Sequence, residues 1–504
     1  MRILFIDIDT LRPDHLGCYG YHRNTSPNLD WIASQGRRFD NCYVSDAPCL
    51  PSRAALWSGR TGFHNGAINH GGVAADPFHE GPGRMFRDRM DATGWIPQLR
   101  KAGLYPVTVS PFGERHSSWW WYAGWREAYN PGKGGMELAD DVTPLALDWI
   151  TKNAQRDNWF LHVNYWDPHT PYRTPIEYGS PFANDPLPDW LNDTPGALEG
   201  VEVLQRCWAG FGPHSAREPQ YDLDGSANMA RYPRVPRQID SMAAVRQWID
   251  GYDTGVWYAD RHVGLLLDAL RQQGILDDLV IIVSSDHGEN LGELNVWGDH
   301  QHADHITSRV PLIIRWPGVT TPGSTDEALH YHFDWAATMI ELLGGQVPEN
   351  WDGVPFTAAL RTGKEEGRDN LVVSQAAWSC MRSVRFRQAG EDYICLRTYH
   401  DGYKDLEPVM LFNLTRDPHE QHDLAPAQPE LVNLAMGKLA DWQQAQMLSH
   451  TSDVDPMMTV LREGGPFHTR GTLPRYLAHL RATGREAAAE RLERLHPEEA
   501  RAEK

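Results

Sequence analysis

The stretch Leu279-Val280-Ile281-Ile282-Val283-Ser284-Ser285-Asp286-His287-Gly288 decides the fold class of this 504-residue chain. Its first seven residues are a short, mainly apolar and β-branched run, which is typical of a strand buried on both faces of a parallel sheet. An acidic residue and a histidine follow where the strand ends. Because ligands bind beyond the carboxyl ends of the strands in open α/β sheets, Asp286 and His287 are candidate site residues.

The N-terminal segment repeats this pattern. Residues 3–8 form a second compact apolar run, interrupted by Asp7 and followed by Asp9. If the carboxyl ends of the two strands meet, Asp9 and Asp286 are expected to hold one hard cation, since carboxylate oxygens suit Ca²⁺ or Mg²⁺ better than zinc. Asp7 lies on the same strand face as Asp9 and is a weaker candidate ligand. The alternative is that the acidic residues only cap strand ends and form turns.

Strands and helices alternate along most of the chain. Further strands are predicted near residues 38–44, 104–109, 159–164 and 310–316, with helical segments between many of them. The alternation predicts an α/β fold with a mostly parallel central sheet that is covered by helices on both faces. Residues 175–238 are rich in Pro, Asp, Gly and Trp, which predicts a long surface insertion.

The pattern changes near residue 370. Short alternating segments at 383–387, 392–397 and 409–414 predict a small antiparallel sheet, followed by a helix at 429–446. The chain is therefore divided into a main α/β domain, residues 1–370, and a C-terminal α+β subdomain, residues 371–504. The charged last thirty residues are expected to be helical and to pack on the body or, in a homo-oligomer, on a neighbouring subunit.

Composition excludes several classes of protein. The chain has 47 Lys plus Arg and 67 Asp plus Glu, a formal charge of −20, which argues against a nucleic-acid partner. No run approaches the roughly 20 apolar residues that a membrane helix needs, so no membrane association is expected. The six cysteines are scattered without CxxC pairs, so neither a disulfide framework nor a zinc knuckle is indicated. The N-terminal run is too short for an export signal, and a cytoplasmic protein is expected.

The most specific motif is Cys49-Leu50-Pro51-Ser52-Arg53, which is followed by Gly59-Arg60. A proline at the start of a helix places Cys49 at the helix N-terminus, where free N–H groups and the dipole favour an anion. A buried cysteine before an ordinary helix is the alternative. The pentapeptide resembles the signature of the type I, formylglycine-dependent sulfatases of the alkaline phosphatase superfamily.

Other segments carry the same resemblance over most of the chain. They are similar to the family's motifs at Asp9-Thr10, Asp167-Pro168-His169, Asp286-His287, Arg309–Ile313 and Phe412–Pro418. The resemblance implies an alkaline phosphatase-like fold. It also implies that a formylglycine-generating enzyme oxidises Cys49 to formylglycine during maturation.

The resemblance implies a mechanism as well. Hydrated formylglycine would lie beside a cation, Ca²⁺ with Mg²⁺ or Mn²⁺ as alternatives, held by Asp9, Asp286, His287 and residue 49 itself. One hydroxyl would attack sulfur and displace the alcohol, and loss of the proton from the other would expel sulfate. Arg53, one helical turn along, would hold the hydrated side chain, the alternative being a surface salt bridge.

Two departures from the family pattern concern sulfate binding. Glu114, in Gly113-Glu114-Arg115-His116, and Asp299, after Trp297-Gly298, stand where the family has lysines. Arg115 is expected to replace the first lysine. Histidines are expected to complete the site, because a histidine donates a proton to a leaving oxygen near neutral pH. The catalytic candidates are His116, His169 and His300, and the substrate-binding candidates are His70, His302 and His305. For His300, His302 and His305 the alternative is a hydrogen-bonding role in a loop.

Three functions remain open from the sequence. The first is a sulfatase acting on a small sulfated sugar or oligosaccharide, since Trp119-Trp120-Trp121 and Trp166 adjoin the predicted pocket and the negative charge disfavours a long polyanion. The second is a phosphonate monoester or phosphodiester hydrolase, favoured by the missing lysines. The third is a non-catalytic carbohydrate-binding relative in which Cys49 is unmodified.

Overall fold

The computed structural model describes residues 1–78, 90–191, 204–205, 208, 210–219, 232–449 and 454–501. Their strands form an eight-stranded sheet, a five-stranded sheet and a two-stranded ribbon. In chain order the strands are β1 (Arg2–Ile8), β2 (Arg37–Tyr43), β3 (Asp46–Ala47), β4 (Tyr105–Val109), β5 (Glu127–Tyr129), β6 (Trp159–Tyr165), β7 (Val280–Ser284), β8 (Asn290–Leu291), β9 (Trp297–Asp299), β10 (Arg309–Arg315), β11 (Ser324–Tyr331), β12 (Asn370–Gln375), β13 (Cys380–Gln388), β14 (Glu391–His400) and β15 (Val409–Asn413).

Helices flank these sheets and also form the C-terminal tail. The described α-helices are Pro27–Ser34, Cys49–Ser58, Gly62–Asn65, Met90–Thr93, Trp95–Lys101, Phe112–Arg115, Ala139–Asn153, Met242–Gln272, His305–Ser308, His332–Leu342, Thr357–Thr362, Pro429–Ser449, Pro456–Arg462, Leu473–Ala482 and Glu486–Leu495.

The eight-stranded sheet has the order β11-β2-β10-β7-β1-β6-β4-β5. Strand β1 pairs in parallel with both β6 and β7, and Asp7 lies opposite Ser284 in the register. The carboxyl ends of β1 and β7 therefore lie side by side, two residues before Asp9 and Asp286. The predicted mostly parallel α/β sheet is confirmed. Strand β10 is the exception, since it runs antiparallel to its neighbours β2 and β7.

The central strand explains why helices cover both faces. Alternate residues of a strand point to opposite faces, and here Ile3 and Phe5 pack in one apolar cluster while Leu4, Ile6 and Ile8 pack in the other. All five are at most 1% exposed. A side chain of this kind contributes about 1.5–3 kcal/mol when fully buried. The continuous apolar run is thus the signature of a two-sided core.

The five-stranded sheet has the order β15-β14-β13-β12-β3. The predicted small antiparallel sheet is confirmed: its three predicted segments form β13, β14 and β15, and the helix Pro429–Ser449 packs on the sheet. Strand β12, which was not predicted, pairs antiparallel with β13. The fifth strand, β3, comes from the N-terminal part of the chain and pairs in parallel with β12. It ends two residues before Cys49, so the C-terminal sheet holds the start of the cysteine helix.

The predicted insertion 175–238 lies partly outside the described residues. Several of its described side chains are buried, and Leu187, Leu191 and Val235 join the cluster that also contains Leu4. The described part therefore contributes to the core as well as to the surface. Within the ranges given above, no helix is long and apolar enough to cross a membrane.

Candidate active site

Cys49 begins the helix Cys49–Ser58, in which every residue is buried. Pro51 lies in the first turn, where its missing N–H costs no intrahelical hydrogen bond. The cysteine Sγ lies 3.0 Å from Nε2 of His287. The Nδ1 atom of His287 lies 2.8 Å from the Gly288 carbonyl oxygen and donates to it, so Nε2 keeps its lone pair and faces Sγ.

Two carboxylates complete this cluster from the ends of β1 and β7. Candidate ligand atoms of Asp9, Cys49, Asp286 and His287 all lie within 4.8 Å of one another. Asp9 Oδ1 and Asp286 Oδ2 are buried and make no hydrogen bond among the described residues, and Asp286 Oδ2 lies 3.2 Å from Arg53 Nη2. Buried carboxylate oxygens that make no hydrogen bond are costly unless a cation neutralises them. These residues therefore fit a divalent cation with a preference for oxygen ligands.

Burial and neighbouring charges shift the pKa values of the groups in this cluster. Burial, reinforced by Asp286, raises the pKa of Asp9 well above its ordinary value. Burial acts on Asp286 in the same direction, but Arg53, His287 and the Thr10 N–H together outweigh it and lower the pKa of that carboxyl. Burial and the two carboxylates raise the pKa of the Cys49 thiol. An unmodified thiol here stays protonated and is a weak nucleophile.

Arg53 joins three carboxylates. Its Nη1 lies 2.6 Å from Asp7 Oδ2, and its Nη2 lies 3.0 Å from Asp9 Oδ2 and 3.2 Å from Asp286 Oδ2. Asp7 Oδ2 also lies 3.2 Å from Nε2 of His162. The structure thus places Asp7 outside the four-residue cluster, because two residues along a strand span about 6.6 Å. Its carboxylate instead orients Arg53.

Histidines form one wall of the site. The ring centroids of His287 and His300 are 4.2 Å apart, and those of His169 and His300 are 5.0 Å apart. Ligand atoms of His169 and His300 also lie within 4.8 Å of those of Cys49 and His287. Burial lowers the pKa of His169, His287 and His300, in the last case to about 3. These imidazoles are therefore neutral in the ligand-free site.

A second group of histidines consists of His70, His116 and, from the C-terminal part of the chain, His468. The His70 ring lies 5.2 Å from the His116 ring, and its Nδ1 is 2.8 Å from Nε2 of His468. His468 stacks on Trp378 with centroids 4.3 Å apart. Neither His468 nor Trp378 was expected from the sequence, since no local pattern links them to a motif about 400 residues earlier.

Arg115 lies between the cluster and Trp166. Its Nη1 is 3.6 Å from Asp9 Oδ2, and its Cζ is 2.9 Å from the centroid of the Trp166 ring. All three side-chain nitrogens are buried without a hydrogen-bond partner in the described part of the chain. The His169 ring stacks on Trp166 as well, with centroids 3.9 Å apart. Arg115 therefore presents free donors beside Cys49, which suits the binding of an oxyanion.

Two of the predicted histidines lie elsewhere. Nδ1 of His305 is 2.8 Å from the Tyr43 hydroxyl, and its backbone N–H donates to Glu420. His302 is fully buried, and burial, reinforced by Lys404, lowers its pKa to about 3. Neither side chain belongs to the cluster of candidate ligands around Cys49 among the described residues.

The tryptophan triplet is mainly core. Trp120 and Trp121 are 1% exposed, and Trp121 stacks on Trp57 of the cysteine helix with centroids 4.4 Å apart. Trp119 is 36% exposed and donates its indole N–H to Asp76. The expected role of this triplet beside a sugar is therefore not available to Trp120 and Trp121, whereas Trp166 does adjoin the site.

The chain is similar to known proteins in sequence and in fold. Residues 2–345 match the family model "Sulfatase", and residues 292–444 match "N-sulphoglucosamine sulphohydrolase, C-terminal". The N-acetylglucosamine-6-O-sulfatase of Bacteroides thetaiotaomicron is 24% identical, over 92% of this chain and 89% of that protein.

Two solved structures resemble the fold. One, described as a complex with its substrate D-glucosamine-2-N,6-O-disulfate, superposes with a TM-score of 0.66 at 19% identity, over 90% of this chain and 99% of its own. The phosphonate monoester hydrolase of Silicibacter pomeroyi superposes with a TM-score of 0.62 at 20% identity, over 91% and 97% of the two chains.

Proposed function

The chain belongs to the sulfatase family, whose model spans residues 2–345, and from this premise we propose that it cleaves the sulfate ester of a small sulfated sugar with formylglycine made from Cys49. Membership makes it a sulfuric ester hydrolase. The observation that supports the nucleophile is the position of Cys49, at a helix N-terminus and within 4.8 Å of ligand atoms of Asp9, Asp286 and His287.

Asp9, Asp286 and His287 would hold the cation together with residue 49. Two carboxylates favour Ca²⁺, and Mg²⁺ or Mn²⁺ are the alternatives. A bound cation supplies charge that offsets the buried carboxylates and makes a neighbouring hydroxyl more acidic. Formylglycine supplies a hydroxyl nucleophile in its hydrated form, and a formylglycine-generating enzyme is the partner that makes it.

The remaining side chains bind the sulfate and move a proton. Arg53 keeps the strand-end carboxylates and the start of its own helix in a fixed geometry. Arg115 binds sulfate oxygens with its free donors, in place of a lysine. His116 Nε2 and His300 Nδ1 are buried without a partner among the described residues. Burial lowers the pKa of both imidazoles and a bound sulfate would raise it again, so these two are the candidates for giving a proton to the leaving oxygen.

The sugar assignment rests on the relatives. Trp166 is 9% exposed and is stacked between Arg115 and His169, so it positions these two side chains at the site. The relative from Bacteroides thetaiotaomicron is named as an N-acetylglucosamine-6-O-sulfatase. A cytoplasmic location and a homo-oligomer remain predictions from the sequence.

The test combines mass spectrometry with kinetics. Conversion of Cys49 to formylglycine removes about 18 Da from the peptide that carries it. The modified protein is expected to hydrolyse a sulfated glucosamine with a higher kcat/KM than an aryl phosphonate or a phosphodiester. An unmodified thiol in active enzyme from the native host would contradict the nucleophile.

A phosphonate monoester hydrolase is the second candidate. Glu114 and Asp299 replace the family's lysines, and the fold superposes on such a hydrolase with a TM-score of 0.62. A preference for phenylphosphonate esters over all sulfates in the same panel would favour this candidate.

A further inference from the structure

We propose that the substrate carries two anionic groups and that Arg173 binds the second, a sulfate or a carboxylate, beside the sulfate that is cleaved. The inference rests on the proposed function and adds a specificity-determining residue to it. Arg173 was not singled out from the sequence. It follows His169 by four positions in a proline-rich turn, Asp167-Pro168-His169-Thr170-Pro171-Tyr172-Arg173.

The guanidinium of Arg173 has no carboxylate oxygen within 4.0 Å among the described residues, although Asp167 acts on it electrostatically from farther away. Its Nε and Nη2 are buried without a hydrogen-bond partner in the described ranges, and Nη1 lies 3.5 Å from the weak acceptor Met136 Sδ. The buried Arg382, by contrast, is paired: both of its Nη atoms lie 2.6 Å from oxygens of Asp455. Leaving a buried guanidinium unpaired costs free energy. An anionic ligand would remove that cost.

Arg173 lies near the residues proposed to bind the sulfate that is cleaved. Its Cζ lies 5.4 Å from the centroid of the Trp166 ring, the ring on which the Arg115 Cζ lies at 2.9 Å. Arg115 in turn is 3.6 Å from Asp9, in the cluster around Cys49. Two guanidiniums thus share one indole, and only Arg115 has a carboxylate within 4.0 Å in the described part of the chain. A ligand with one anionic group would pair with only one of these two guanidiniums.

The arrangement also suits a small ligand of two charges. A guanidinium is a planar fork that matches the oxygens of a carboxylate or a sulfate. Trp166 is stacked between Arg115 and His169, so its indole holds the Arg115 fork in position beside the site. The chain's charge of −20 disfavours longer polyanions through long-range repulsion.

The experiment compares three related sugars. They are glucosamine with one O-sulfate, the same sugar with an added N-sulfate, and the same sugar linked to a uronic acid. The second and third sugars carry a second anion, a sulfate and a carboxylate respectively, so their comparison distinguishes the two groups. Arg173→Ala and Arg173→Lys are measured beside Arg261→Ala. Arg261 is an exposed arginine stacked on Trp257 at 4.8 Å and controls for the loss of one charge.

Wild type is expected to prefer at least one two-anion sugar. Arg173→Ala should lower that preference in kcat/KM about tenfold, Arg173→Lys should lower it less, and Arg261→Ala should leave it unchanged. Equal loss on one-anion and two-anion sugars, or no loss, would overturn the inference.

Binding separates this inference from the proposed function. If no sugar is hydrolysed, the proposed function is wrong. The role of Arg173 can still be tested, because calorimetry on Cys49→Ala protein measures sugar binding without hydrolysis. In Cys49→Ala protein the two-anion sugar should bind with higher affinity than the one-anion sugar. Adding Arg173→Ala should remove about nine-tenths of this difference in affinity. Equal affinity for both sugars overturns the inference even if hydrolysis is observed.

Discussion

Arg53 contributes one positive charge to a site with three carboxylates, all within 3.2 Å of its guanidinium nitrogens. Arg115 adds a second charge, but at 3.6 Å from Asp9. Burial, reinforced by the neighbouring carboxylates, raises the pKa of Asp9, while Arg53 is the strongest of the groups that lower the pKa of Asp286. A divalent cation would offset the remaining negative charge.

The first prediction concerns the nucleophile. Cys49→Ala should lower kcat by more than about a thousandfold, because the substitution removes the atom that attacks sulfur. The thermal unfolding midpoint should change little, since alanine fits the same helix position. Turnover close to that of wild type would refute the assignment.

The second concerns the cation. Asp286→Asn should weaken Ca²⁺ binding at least tenfold, measured by calorimetry, because an amide oxygen carries no charge. Asp7→Asn is the matched control: it should leave Ca²⁺ affinity nearly unchanged but lower the free energy of unfolding by about 3 kcal/mol, since it breaks a buried ion pair. Equal losses of Ca²⁺ affinity in both variants would make Asp7 a ligand.

The third concerns proton transfer. His116→Ala should lower kcat for an alkyl sulfate more than it raises KM, if the imidazole acts only in the transition state. An aryl sulfate has a better leaving group and should be less affected. A rise in KM alone would make His116 a binding residue.

At the scale of elements, short segments connect the site to the rest of the fold. Glu293, between β8 and β9, is fully buried, and its carboxylate lies 2.9 Å from Nη2 of Arg12 and 3.0 Å from Nδ1 of His419. These partners outweigh the effect of burial and lower the pKa of Glu293 to about 2, with Arg12 contributing most. One carboxylate therefore links the loop after β1 to the C-terminal subdomain.

The pH dependence follows from the sign of this shift. A lowered pKa stabilises the fold above the ordinary value of 4.5, and that stabilisation is lost as the pH falls from about 4.5 towards 2. Glu293→Gln should lower the free energy of unfolding by about 3 kcal/mol at pH 7. In urea titrations the difference from wild type should shrink below pH 4.5. Glu366→Gln, in an exposed pair with Lys364, should have no such effect. A difference independent of pH would contradict the ion-pair explanation.

Sequence patterns predicted some elements well and others not at all. The apolar runs of β1 and β7 predict buried strands, and the parallel register then brings Asp9 and Asp286 together. Strand direction has no such signature, so the antiparallel β10 was not anticipated. Strand β3 has two residues, too few for any periodicity. The turn that carries Arg173 is irregular, so the sequence could not place that side chain at Trp166.

At the scale of the whole molecule, the two ends of the chain share one site. His70 and His468 are 2.8 Å apart through their ring nitrogens, and His70 adjoins His116. Pairings at such a sequence separation arise from tertiary packing, which explains why the sequence predicted His70 but not His468. His468 thereby brings the C-terminal part of the chain to the edge of the site.

This connection predicts coupling between the two histidines. His468→Ala and His70→Ala should each raise KM, and the double variant should be no worse than the stronger single one, because each loss already breaks the pair. His422→Ala is the control, since its side chain is 78% exposed. Additive effects in the double-mutant cycle would mean that the two rings act independently.

The pairing of β3 with β12 constrains when Cys49 can be modified. In the folded protein this cysteine is 1% exposed, and the strand that fixes the start of its helix pairs with residues made more than 300 positions later. A maturation enzyme of the kind proposed would therefore have to reach residue 49 during synthesis, before Ser374 and Gln375 pair with β3. Folded, unmodified protein should resist conversion by such an enzyme, and urea-unfolded protein should accept it.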